Sequence, residues 1–223
     1  MKTSELIQRK VVIPPLGLHG DLVIPEHAAA VIAFAHGSGS SRHSPRNQYV
    51  AGVLQEGGLA TLLFDLLTAD EERIDARTAH LRFDIALLAR RLAAATAWLK
   101  KDADTRDLRL GYFGASTGAA AALVAAAERP VDVYAVVSRG GRPDLAGASL
   151  ASVTAATLLI VGGEDTAVIA MNQDALQQLR TPEKKLVIVP GATHLFEEPG
   201  TLEKVAALAC DWFQNQLKEV NRA

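Results

Sequence analysis

An α/β architecture, with a mainly parallel central sheet and helices on both faces, is predicted by three features of the sequence. Short runs that are apolar at nearly every position recur along the chain and are bounded by Gly, Pro and Asp, as buried strands require. Longer stretches with apolar residues at helical spacing lie between them. The 223 residues, 49% of them hydrophobic, suffice for one substantial core, and no linker or internal repeat divides residues 1–223, so one domain is expected.

Taken in order, residues 10–13 and 20–24, separated by Pro14, Pro15 and Gly17, predict an N-terminal antiparallel hairpin. Residues 31–35 form a continuous apolar strand, followed by a helix over 46–56 and a strand over 60–64. Residues 66–77, with Asp70, Glu71, Glu72 and Asp75, read as an acidic loop, a solvated connection in preference to a cover over the site edge. Residues 77–100 carry Leu81, Ile85, Leu88, Leu92, Ala95 and Leu99 at helical spacing and predict the longest helix. Further strands are expected over 108–113, 133–137, 157–161 and 186–189, with helices over 117–129, 167–179 and 201–219. Right-handed crossovers place the loops that follow the parallel strands on one edge of the sheet, where function is sought.

Composition narrows the classes. Charged residues are 22% of the chain and the net charge is -2, which leaves no basic footprint for nucleic acid. No apolar stretch approaches the roughly 20 residues of a membrane span, and the polar residues 1–10 lack the apolar block of a signal peptide, so a cytoplasmic location with no membrane partner is expected. The single cysteine, Cys210, forms no intramolecular disulfide and reads as a small hydrophobe of the last helix. The six histidines are scattered, without HExxH or CxxC spacing, which argues against zinc.

The chemistry concentrates at Gly114-Ala115-Ser116-Thr117-Gly118, between a predicted strand and a predicted helix. Such a turn lifts the serine hydroxyl clear of the backbone, and the flanking glycines remove side chains that would collide there. A serine is a poor nucleophile without a base, and the base needs a carboxylate to hold its tautomer. Asp165 follows the strand over 157–161 through Gly162-Gly163-Glu164, and His194 follows the strand over 186–189 through Pro190-Gly191-Ala192-Thr193. All three positions fall on one sheet edge. Asp165 is preferred to Glu164 as the acid because it ends its turn; an N-cap role for Asp165 is the bland alternative. The amide of Thr117 is expected to stabilise an oxyanion, with a second amide from His36-Gly37-Ser38-Gly39, Ser38 first and Gly39 as alternative. His36 is expected to organise that loop rather than transfer protons.

Together the His-Gly-Ser-Gly loop, the Gly-Ala-Ser-Thr-Gly elbow, Gly-Gly-Glu-Asp and the late Gly-Ala-Thr-His resemble an α/β-hydrolase over essentially the whole chain. Small size and no cap insertion after residues 133–137 resemble its dienelactone hydrolase-like branch. The resemblance implies a Ser116-His194-Asp165 triad, with no metal and no organic cofactor. It also carries a departure: dienelactone hydrolases use a cysteine nucleophile, and Ser116 stands here, which favours ordinary ester hydrolysis over the lactone substrate. Arg42, Arg46 and Arg139 lie in loops of the same edge and are candidates to hold a substrate carboxylate or phosphate. Alternatively Arg42 and Arg46 anchor their loop, braced by Asp65. Aromatic residues at 5% and no cap argue for a short-acyl carboxylesterase acting on a small-molecule ester. A thioesterase or acyltransferase would share the acyl-serine, and a catalytically silent binding protein would share the fold. A nucleotide-binding reading fails because Gly111, Gly114 and Gly118 do not match GxGxxG.

Overall fold

The computed structural model describes residues 6–220; residues 1–5 of the polar N-terminal segment lie outside them. Among the described residues eight strands form one sheet, in the order β1-β2-β4-β3-β5-β6-β7-β8. The expected hairpin is β1 (Ile7–Ile13) against β2 (Leu18–Ile24); β1 reaches back to Ile7 because Ile7 to Arg9 pair with Ile24 to Leu22, and β2 starts at Leu18 because Leu18 and His19 pair with Ile13 and Val12. From β4 (Ala60–Phe64) through β3 (Ala30–Ala35), β5 (Arg109–Ala115), β6 (Val133–Arg139), β7 (Ala156–Gly162) and β8 (Lys184–Val189), every pairing is parallel.

Burial on both faces explains why the central strands are apolar at most positions. In β3, Val31, Ala33 and Ala35 point into one core, and Ala30, Ile32 and Phe34 into the other. The first core is closed by α3 (Ile85–Leu99), α4 (Thr117–Glu128) and α5 (Thr166–Gln178), the second by α1 (Pro45–Glu56) and α6 (Thr201–Val220). A 3₁₀ stretch, Pro143–Ser152, spans most of the connection between β6 and β7 and leaves no room there for a cap insertion.

Two expectations need correction, both between β4 and β5. The acidic loop over 66–77 is largely a helix, α2 (Ala69–Thr78). Thr68 caps it: its hydroxyl accepts the Glu71 N–H at 3.2 Å, and the Glu71 carboxylate accepts the Thr68 N–H at 2.8 Å. Asp70, Glu71 and Glu72 in the first turn complement the helix dipole, so the acids that suggested a solvated loop help to start a helix. The long helix over 77–100 is broken. Ala79 ends α2 in the left-handed region, Leu81–Phe83 make a 3₁₀ turn, and Asp84 restarts the chain as α3 by accepting the Leu87 N–H at 2.9 Å. The buried Asp75 carboxylate secures the break, accepting N–H bonds from Leu81 and Arg82 and the Arg82 side chain. Among the described residues the longest helix is therefore α6, with 20 of them.

Candidate active site

Ser116 ends β5 and opens α4 with φ 51° and ψ −121°, a conformation that costs a non-glycine residue on the order of 1–3 kcal/mol. The turn is held on three sides. The Ser116 N–H donates to Arg139 O at 3.2 Å, and Ser116 O accepts the N–H groups of Ala119 and Arg142 at 3.1 Å each. The flanking glycines are close-approach positions: a Cβ on Gly114 would lie 2.4 Å from Ala119 Cα, and one on Gly118 would lie 2.1 Å from Ala35 O. Gly37 passes over the serine, its missing Cβ 3.2 Å from Ser116 Cβ. The elbow and the loop after β3 are thereby locked together through backbone atoms.

Asp165 and His194 come together as well. The His194 Nδ1–H donates to Asp165 Oδ2 at 2.6 Å. Asp165 stands at the N-cap of α5, yet its side chain makes no capping bond and turns to the imidazole. Glu164 is exposed and makes no such contact. Gly162 lets the two loops meet, since a Cβ there would lie 2.4 Å from Ala192 O. Beyond the histidine, Glu198 clasps Thr193 through its N–H at 3.0 Å and its hydroxyl at 2.7 Å, and buried Phe196 anchors the turn. Ser116 and His194 line one cavity of about 250 Å³ with Gly37, Ser38, Arg46 and Arg139. No hydrogen bond joins the Ser116 hydroxyl to the ring in this state; such links often tighten only with substrate.

The Gly37–Ser40 turn, closed by the Ser40 N–H on Gly37 O at 3.2 Å and carrying Gly39 at φ 69°, presents Ser38 to that cavity. Thr117 is buried at the first position of α4 and does not line the cavity with its side chain. His36 is occupied at both ring nitrogens: Nε2 accepts the Leu66 N–H at 3.1 Å, and Nδ1–H donates to Gly37 O at 3.0 Å. Burial pulls its pKa below the ordinary 6.5, against opposing pulls from the Gly37 bond and the charges of Asp65 and Glu72. The unfolded chain therefore takes up a proton near pH 6.5 that the folded chain resists, so this residue makes stability fall as pH drops through that value. Urea unfolding at pH 7.5, 6.5 and 5.5 should show a shallower acid-side loss for His36→Gln than for the parent; equal slopes would contradict this role.

The three arginines separate. Arg42 does not line the Ser116 cavity; its guanidinium pairs with Asp65 and lies 3.4 Å from Asp21, while its N–H donates to Asp65 Oδ1 at 2.9 Å. This is the loop-anchoring alternative, with Asp65 as the brace. Arg46 lines the cavity and also bonds Glu197 at 3.0 Å. Arg139 is buried in the cavity wall. A feature the sequence did not suggest lies across the Gly37–Ser40 turn, a cavity of about 510 Å³ walled by Leu66, Leu67, Ala69, Ala76 and Leu88 and rimmed by charged residues. Much of its wall is α2, which was read as a loop; the Thr68-to-Glu71 spacing was the available signal. Among the described residues no cluster of three His, Cys, Asp or Glu side chains could hold a metal ion, and no helix is long and apolar enough to cross a membrane.

This architecture has close parallels. The sequence pattern of the dienelactone hydrolase family matches residues 21–223. The chain belongs to the dienelactone hydrolase family. A dienelactone hydrolase from Anabaena variabilis shares 63% identity and superposes with a TM-score of 0.91 over 95% of this chain and 98% of that one. An esterase of Pyrococcus furiosus, at 16% identity, shares the fold alone, with a TM-score of 0.74 over 95% of this chain and 91% of its own. A Mycobacterium tuberculosis protein provisionally named a phosphoribosyl transferase is 62% identical over 209 residues, 93% of this chain. The chain spans 46% of that relative, so about half of the curated relative has no counterpart here. The described residues thus have the α/β-hydrolase fold, with no cap insertion between β6 and β7.

Proposed function

We propose that the protein hydrolyses carboxylic esters of small molecules, preferring short acyl groups, through an acyl-serine on Ser116. The observation that carries this reading is the 2.6 Å bond from His194 to Asp165, made in a loop whose imidazole shares a cavity with a strained serine. The Asp165 carboxylate fixes the proton on Nδ1 and leaves Nε2 as the base. Ser116 Oγ then attacks the ester carbonyl carbon as Nε2 takes its proton. The carbonyl π-electrons move onto oxygen, and the amides of Thr117 and Ser38 receive that charge, each worth roughly 3 kcal/mol in such a role. Collapse expels the alcohol, protonated by the imidazolium, and leaves acyl-Ser116. Water, deprotonated by His194, reverses the sequence and releases the acid.

The 250 Å³ of the chamber around Ser116 favours small acyl groups. With purified protein, p-nitrophenyl acetate and butyrate should turn over faster than the dodecanoate. Turnover no faster than for long chains would sink the short-acyl preference. A thioesterase or acyltransferase would use the same acyl-serine, and product analysis with added alcohols or acyl-CoA separates them. The phosphoribosyl transfer named for the longer relatives is assigned, in this reading, to the half of those chains that this one does not match. Phosphoribosyl transfer by this chain alone would contradict that assignment.

A further inference from the structure

The buried stripe of α5 is Val168, Asn172 and Ala175, so an amide stands where the period of the helix calls for an apolar side chain. Asn172 is 0% exposed. Its Nδ2 donates to Val168 O at 2.8 Å and to Gly141 O at 3.0 Å, which uses both of its N–H groups, while Oδ1 is buried without a partner. A buried amide with its acceptor unmet costs stability. What this one supplies is a tie from α5, the helix that Asp165 opens, to the turn that follows β6.

That turn, residues 139–142, touches both of the other members of the proposed triad. Arg139 O accepts the Ser116 N–H, and the Arg142 N–H donates to Ser116 O. Gly140, at φ 51°, donates its N–H to Ile160 O at 2.8 Å and backs the imidazole: a Cβ there would lie 3.5 Å from His194 Nδ1 and Cε1 and 3.1 Å from His194 O. Gly141 has no slack either, since its Cβ would lie 2.0 Å from Ser138 Oγ and 2.7 Å from Ala119 Cβ. No hydrogen bond joins the Ser116 hydroxyl to the ring in this state, so the backbone sets their spacing. We propose that Asn172 is a positioning residue: by holding Gly141 O it keeps one turn against both Ser116 and the back of His194, and so maintains the imidazole between its carboxylate and the serine. The proposal rests on the acyl-serine reading above for its effect on turnover; the orientation of the ring does not.

The test uses Asn172→Ala and Asn172→Thr. Threonine nearly matches the volume of asparagine and its hydroxyl returns to the i−4 carbonyl, here Val168 O, so it removes the Gly141 bond and fills the space. With p-nitrophenyl butyrate, assayed well below the Tm of each protein, both variants should lower kcat by about 10²-fold, the scale of a small misplacement at a reacting centre. KM should stay within about threefold in either variant, because Asn172 does not line the cavity at Ser116. Gln178→Ala removes an exposed amide bonded to Asp174 O on the same helix and should change neither constant. Independently of turnover, the ring ¹⁵N shifts of neutral His194, assigned by their loss in His194→Ala, should report mainly the Nδ1–H tautomer in the parent and a shift toward Nε2–H in both variants. An unchanged kcat, a loss carried by KM, or an unmoved tautomer in the folded variants would overturn the proposal. No ester turnover by the parent, with the tautomer still moved by both substitutions, would overturn the acyl-serine reading and leave Asn172 as the residue that orients the imidazole.

Discussion

Asp165→Asn should lower kcat by roughly 10⁴, and Ser116→Ala or His194→Ala by roughly 10⁶, in steady-state assays of p-nitrophenyl butyrate. Asparagine keeps the shape but offers no charge to the Nδ1–H, so the imidazole loses both its tautomer control and the stabilisation of its cation. The fold should survive each change, because Asp165 makes no capping bond with its side chain and His194 is half-exposed. Ser116→Gly separates chemistry from strain: it abolishes activity equally but relieves the φ 51° backbone, so it should be more stable than Ser116→Ala by about 1 kcal/mol. Activity retained in Asp165→Asn and lost in Glu164→Gln would transfer the acid role to Glu164.

Gly118→Ala should be the most damaging single change to the fold. Its Cβ would sit 2.1 Å from Ala35 O and 2.5 Å from His36 O, backbone atoms at the last residue of β3 and the first of the loop that follows it. Either α4 or that loop must move, and the loop carries Ser38. A loss of at least about 3 kcal/mol is expected, with a drop in Tm on the order of 10 °C. The control is Gly52→Ala in α1, where a Cβ meets nothing within 4 Å and alanine is the better helix former by up to about 1 kcal/mol. Thermal unfolding of the two variants should move in opposite directions; a Gly118→Ala protein as stable as its parent would show that the elbow is not locked as described.

The strands were legible because a sheet buried on both faces leaves few polar positions, and runs such as residues 31–35 and 157–161 can satisfy little else. The sheet-edge position of Ser116, Asp165 and His194 followed from topology. What failed was α2, whose residues are largely exposed apart from Asp75, so no apolar stripe marks it. Its helix rests on capping and dipole terms, which a reading of hydrophobic period overlooks. The helix over 77–100 was overextended for the complementary reason: its apolar period continues through Leu81, while Ala79 and Asp84 break the backbone. Arg139 was visible as a residue, but not that its Nε and Nη1 lie buried without a hydrogen-bond partner. The lack of a partner belongs to the three-dimensional arrangement, as do the ties of Arg42 to Asp65, just after β4, and to Asp21, within β2.

The central claim is a covalent acyl group on Ser116, and rapid acid quench during turnover of p-nitrophenyl butyrate followed by peptide mass spectrometry tests it most directly. The account predicts a butyryl adduct on the peptide containing Ser116, absent from Ser116→Ala protein. Full turnover with no adduct under conditions that trap one, or an adduct mapped to another residue, would contradict it.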